Sequence, residues 1–150
     1  MRLSLRQILT DAVAKNASDL HCLVGSPITI RRHGELTDLY PEFLTDADTL
    51  ALVDEIATEE QKRQLWQRGD VDISHELAGQ GRFRINIYRQ RRSVALAARV
   101  IPGRIPTLRE LEMPPVLLQM SRLRRGLVLV TGPTGSGKST TVASLVHQIN

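Results

Sequence analysis

The chain has 150 residues, 41% of them hydrophobic and only 3% aromatic, with a formal net charge of +4. That suffices for one domain, or a small domain and part of another, around an aliphatic core. It leaves no run of the roughly 18 apolar residues a membrane span requires, and Met1-Arg2-Leu3-Ser4-Leu5-Arg6 has no signal-peptide core.

All basic residues but Lys15, Lys62 and Lys138 are arginine, the side chain preferred where a planar fork grips carboxylates or phosphates. No basic run exceeds two residues and stacking aromatics are scarce, which disfavours nucleic acid. Anionic nucleotide, acidic neighbouring subunits or a membrane surface remain as partners. The single Cys22 cannot form an internal disulfide and fits a reducing, cytoplasmic compartment.

In chain order, Ser4 is a candidate N-cap for a helix to about Asn16, with Leu5, Ile8, Leu9, Ala12 and Val13 at buried-face spacing. Leu20–Val24 reads as a strand. Ile28–Arg32 and Leu36–Leu39 flank His33-Gly34-Glu35 as a hairpin. Thr45 caps a second helix to about Ala57, with Leu50, Val53 and Ile56 expected inward. Thr58-Glu59-Glu60-Gln61 is a capping box for a third helix, closed by Gly69. Strands follow at about Val71–Glu76, Arg82–Tyr88 and Val94–Ile101. Only a register with Ile73 opposite Ile85, and a connection centred on Ala78-Gly79-Gln80, puts Val71, Ile73, Phe83, Ile85 and Ile87 on one face. These elements predict an α+β domain over 1–101. Residues 102–125 read as a linker with short helices, including one begun by the box Thr107-Leu108-Arg109-Glu110 and broken at Pro114-Pro115.

Residues 126–150 carry the sharpest motif. Gly132-Pro133-Thr134-Gly135-Ser136-Gly137-Lys138-Ser139 matches the phosphate-loop pattern G-x-x-x-x-G-K-[ST] at every fixed position. Glycines let the backbone N–H groups approach phosphate oxygens, and the following helix adds its positive end. Lys138 is expected at the β- and γ-phosphates and Ser139 on Mg²⁺, with Thr140 next in line. Gly126–Thr131 reads as a buried parallel strand before the loop. Thr140–Val146 reads as a helix with Val142, Leu145 and Val146 on one face. The pattern predicts ATP and Mg²⁺ as cofactors.

The alternation in Arg82-Phe83-Arg84-Ile85-Asn86-Ile87-Tyr88 turns Phe83, Ile85 and Ile87 to the core and the arginines outward. With Arg89, Arg91 and Arg92, five arginines fall between positions 82 and 92, and Arg99 interrupts an apolar strand. A charge so placed needs a partner. Two readings stand: cross-strand pairing with Asp70, Asp72 and Glu76, most directly Arg82 with Glu76, or Arg84 and Arg99 reaching a phosphate across a subunit interface as arginine fingers. Asp19 and His21 are too few for a metal site and read as structural. His33, His75 and His147 lack ligand spacing.

Asn16-Ala17-Ser18-Asp19-Leu20-His21 resembles the Ala-Ser-Asp-Leu-His signature of twitching-motility retraction ATPases. Arg82-Phe83-Arg84-Ile85-Asn86 with Gln90-Arg91 is similar to their Arg-Phe-Arg-Val-Asn…Gln-x-Arg strand, and Ala98-Arg99-Val100-Ile101-Pro102 to the strand end before their linker. Arg125–Thr141 matches their phosphate-loop region almost letter for letter. The resemblance covers nearly the whole chain and places it in the type II secretion and type IV pilus ATPase superfamily. It implies a PAS-like N-terminal domain and a RecA-like nucleotide domain, assembled as a cytoplasmic homo-hexamer, peripheral at the inner membrane at most and engaging an inner-membrane pilus or secretion platform protein. It also implies that arginines of the first domain, Arg84 foremost and Arg99 second, face nucleotide held by the second. Gln90-Arg91-Arg92 is more basic than the family's Gln-x-Arg-Gly, and the family's acidic and histidine boxes would follow Asn150. The expected function is therefore the ATP-binding N-terminal part of a hexameric motor ATPase driving pilus retraction or type II secretion, with little or no turnover by this chain alone. The alternative is a non-catalytic interaction module that binds a partner or a complete ATPase.

Overall fold

The computed structural model describes residues 4–101, 103–133 and 136–149. The chain divides into two compact units, Met1–Gly103 and Arg104–Asn150.

In the first unit, Ser4 accepts a hydrogen bond from the Gln7 amide and opens α1 (Leu5–Ala14). Three strands follow as β1 (Asp19–Cys22), β2 (Pro27–Arg32) and β3 (Glu35–Phe43), then α2 (Asp46–Ile56) and α3 (Glu59–Arg68), then β4 (Asp70–Leu77), β5 (Gly81–Gln90) and β6 (Ser93–Ile101). Capping boxes start both central helices, Thr45 with Asp48 and Thr58 with Gln61. Gly69 ends α3 in a left-handed conformation. These reciprocal bonds satisfy amides that have no partner within the helix.

The six strands form one antiparallel sheet in the order β3-β2-β1-β6-β5-β4. It consists of two three-stranded meanders joined by the β1–β6 ladder. The β4–β5 hairpin has the predicted register, with Ile73 opposite Ile85, Asp72 opposite Asn86 and Glu76 opposite Arg82. A row of inward side chains crosses five strands: Ile73, Ile85, Ala98, Leu20 and Ile30. Leu5, Ile8, Leu9 and Ala12 of α1, Leu52 and Val53 of α2 and Leu65 of α3 belong to the same buried cluster. The opposite, outward side chains of β5 and β6 include Arg82, Arg84 and Arg99, all exposed.

Two expectations for this unit need correction. Strand β1 ends at Cys22, and Val24 makes only an isolated bridge to Leu44. Leu50, expected inward, is 41% exposed, while Thr49, Leu52 and Val53 are buried. The contact stripe of α2 is set by where the sheet lies against it, and Thr49 can occupy it because its hydroxyl donates to the Asp46 carbonyl at 3.1 Å.

The second unit departs further from its predicted outline. The Thr107–Glu110 box forms, with the Thr107 amide donating to Glu110 at 2.8 Å, but it closes a turn instead of starting a helix. The short helix α4 (Val116–Met120) comes after the two prolines. Residues 126–131 have no strand partner among the described residues and are not a β-strand, and Leu127 is 82% exposed. A parallel strand exists only within a ladder, so apolar composition alone does not make one. In α5 (Lys138–Ile149), Thr141 and Ser144 are buried while Val142 and Val146 are exposed. The expected apolar face is thus not the packed one. Ser144 Oγ instead donates to the Pro106 carbonyl at 2.6 Å. No helix among the described residues is long and apolar enough to cross a membrane.

The two leucines of α2 offer a direct check. Leu52→Ala should cost about 2–4 kcal/mol, as a buried truncation does, and Leu50→Ala no more than about 0.5 kcal/mol. Urea denaturation of both variants measures the difference.

Candidate functional site

Two groups of predicted site residues lie in separate units. The first is built on the uncovered face of the sheet. Outward positions of adjacent strands align as Ser74, Arg84, Arg99, Asp19, Arg31 and Leu36. Arg84 and Arg99 are therefore direct cross-strand neighbours, and like charges so placed repel. Each turns to a different carboxylate: Arg84 Nη2 lies 2.9 Å from Asp72 Oδ2, and Arg99 Nε lies 2.9 Å from Asp19 Oδ1. Arg82 pairs with Glu76 at 3.6 Å, the direct cross-strand partner its position predicts. The groove between these side chains, about 390 Å³, is lined by Asp19, His21, Asp72, Arg84, Asn86 and Arg99 among others.

The acids are held more firmly than the arginines they bind. The Asp19 side chain is 17% exposed against 74% for Arg99. It also accepts from Ser18 at 2.9 Å and faces Arg31 at 4.0 Å. Burial pushes the Asp19 carboxyl up, but hydrogen bonds from Arg99 and Ser18 and the charges of Arg99 and His21 outweigh it, so the group sits below its usual range. Asp72 is likewise lowered, chiefly by the hydrogen bond from Arg84 and further by Asn86. Asp19 thus serves as an anchor for two arginines. No group of three metal-ligating side chains occurs among the described residues. Cys22 is fully buried, and burial pushes its thiol up to about 12, so it is not a nucleophile at neutral pH.

The partners of Asp19 were not legible beforehand. An aspartate before a strand and an arginine inside an apolar one both demand partners, but 80 residues separate them.

The second group is the phosphate-loop segment. Gly132 has φ +149°, and a Cβ there would meet Ser136 Oγ at 2.8 Å; Gly137 has φ +85°. Both positions therefore require glycine. Ser136 Oγ and Lys138 Nζ both donate to the Pro133 carbonyl, at 2.8 Å and 2.5 Å. The tight turn thus brings Lys138 back across the loop. Lys138, Ser139 and Thr140 form the first turn of α5, where free amides and the helix dipole favour an anion. Thr134 and Gly135 lie outside the described residues. A groove of about 510 Å³ beside Lys138 and Ser139 is lined by Ile105, Val130, Val142, Ala143, Val146 and His147 and contains no carboxylate.

The Arg84–Asp72 pair makes a testable link to pH. A carboxyl held below its unfolded value contributes stability above that value and loses it as pH falls through the folded one. The contribution of Asp72 should be intact above about pH 4 and fade below it. In Arg84→Ala the Asp72 titration, followed by carboxyl NMR, should move up toward the usual aspartate range.

The chain is 36% identical over 148 residues to the type IV pilus retractation ATPase PilT of Pseudomonas aeruginosa, covering 99% of this chain and 43% of that protein. Among solved structures, the pilus retraction motor PilT with bound ADP matches 98% of this chain and 43% of its own at 40% identity and a TM-score of 0.79. The Legionella pneumophila ATPase DotB matches 99% and 43% at 26% identity and a TM-score of 0.86. The chain therefore spans about two fifths of the length of these relatives. The profile of the Type II/IV secretion system protein family matches residues 1–150, and the chain belongs to that family.

Proposed function

We propose that this chain is the N-terminal, phosphate-binding part of a hexameric motor ATPase that drives type IV pilus retraction or a related secretion step. The observation that carries the reading is the loop-to-helix turn at 132–140. Its two glycines hold positive φ that disfavours any side chain, its lysine folds across the turn, and a helix starts at the same point. The relatives include a type IV pilus retractation ATPase and the ATPase DotB, the chain belongs to the Type II/IV secretion system protein family, and the pilus retraction motor was solved with ADP. In this reading the first unit is a PAS-like domain and the second begins a RecA-like domain, with 126–131 becoming a strand once parallel neighbours flank it.

The chain's own residues then divide the work. Amides of the loop and of the first turn of α5 hold phosphate oxygens, and Lys138 places a positive charge at the β- and γ-phosphates. Ser139 offers one hydroxyl. That suits a Mg²⁺ that arrives with nucleotide phosphates and keeps its waters, since the groove holds no carboxylate to bind a free ion. When bound, Mg²⁺ neutralises phosphate charge. Arg84 and Arg99 face a nucleotide held by a neighbouring subunit and stabilise charge that develops in transfer. Their placement as cross-strand neighbours supports this, because an anion shared by the two side chains would offset their like charge. This chain alone should bind nucleotide with little or no turnover.

The test uses this chain and the same chain extended to the length of its relatives. Lys138→Ala should weaken nucleotide binding in both, read by a fluorescent ATP analogue, and abolish turnover in the longer protein. Arg84→Ala should leave binding nearly unchanged yet lower turnover by roughly 10³-fold, with dominance in mixed hexamers. Wild-type turnover together with a lower melting temperature would make Arg84 a structural ion-pair residue. Full nucleotide affinity in Lys138→Ala would remove the phosphate-loop reading itself.

A further inference from the structure

A second arginine group lies at the end of the first unit where α3 meets the β5–β6 turn. Trp66, on α3, is 52% exposed, and the Arg89 guanidinium sits over its ring at 5.3 Å. The Arg89 amide donates to the Gly69 carbonyl at 2.8 Å, tying the end of β5 to the end of α3. Gln90 pairs with Ser93, leaving Arg91 and Arg92 as the two residues of the turn. Arg63 lies one helical turn before Trp66 on the same side of α3. All four arginines are exposed, and among the described residues none takes part in an ion pair. The acids of this corner are fewer than its arginines: Glu59 is engaged by Lys62, and only Glu60 on α3 and Asp70, opposite Tyr88, are exposed beside them.

Arg91 adds an independent observation. Its φ is +58°, a left-handed conformation that disfavours any residue with a Cβ. The turn keeps a strained arginine where glycine or asparagine would relax it, and local strain of this kind gathers at functional positions.

We propose that this corner is a docking site for an acidic segment of a protein partner. Four exposed guanidinium groups that form no ion pair among the described residues, and that outnumber the local carboxylates, select for negative charge. Their planar forks match carboxylates, and a half-exposed tryptophan supplies the aromatic anchor typical of protein interfaces. A bilayer is the poorer fit. Trp66 already has one ring face covered by Arg89, and no other large apolar side chain of this corner is exposed to insert beside it. The site is independent of the nucleotide reading, since none of its residues belongs to either group described above.

Trp66 is the sole tryptophan of the chain, so its fluorescence reports on the site directly. The experiment titrates the full chain with tryptophan-free octaglutamate, and in parallel with phosphatidylglycerol vesicles. The expected result is a saturable change in Trp66 emission with the peptide, weakening as salt rises, and a smaller response to vesicles at equal charge. The double variant Arg91→Ala, Arg92→Ala should bind about tenfold more weakly at an unchanged melting temperature. If that variant melts lower, Arg92→Glu replaces it with the same expected loss. No saturable peptide response, equal affinity in the variant, or a stronger response to vesicles would each overturn the proposal.

Discussion

The ladder between β1 and β6 is the contact on which the first unit depends. Strand β1 has only four residues, yet it joins two meanders that would otherwise be separate three-stranded sheets with exposed edges. Leu20 opposite Ala98 and Cys22 opposite Leu96 carry the inward row from one meander to the other. The α1 helix packs on β1 and α2 on β6, and Leu5, Ile8, Leu9 and Ala12 of α1 are all essentially inaccessible to solvent. A slip of one residue would turn Leu20 outward and Asp19 inward, exchanging a buried leucine for a buried carboxylate. Register is therefore fixed by burial on one side and by charge on the other.

The same ladder creates the charged surface. Because inward and outward positions alternate, the register that buries Leu20 also sets Asp19 between Arg31 and Arg99. The register that buries Ile85 sets Arg84 beside Arg99. Two adjacent cations on an open sheet are not self-stabilising. Asp19 and Asp72 offset them, and both carboxyls are held below their usual range in consequence. Such exposed pairs contribute little to stability. In the proposed motor, their value lies in keeping two guanidinium groups ordered and close while leaving them accessible to an anion.

The second unit follows a different logic. Its glycine-rich segment is specified by backbone conformation: Gly132 and Gly137 both have positive φ, and a Cβ on Gly132 would also crowd the Ser136 hydroxyl. That shape forms without the flanking strand, since the turn is closed locally by bonds to the Pro133 carbonyl. The strand cannot form alone, because each of its backbone groups needs a partner from another strand.

What the sequence determined by itself was local or periodic. Ser4, Thr45 and Thr58 mark helix starts because capping bonds span three residues. The β4–β5 register follows from the alternation in Val71–Ile73 and Phe83–Ile87. Only the tertiary structure decided which side of α2 is dry, so that Leu52 and not Leu50 is buried, and which face of α5 packs. It alone brought Asp19 to Arg99 and Arg89 over Trp66. Those outcomes depend on which elements meet across long stretches of chain, and neither side-chain period nor capping chemistry encodes the partner of a surface.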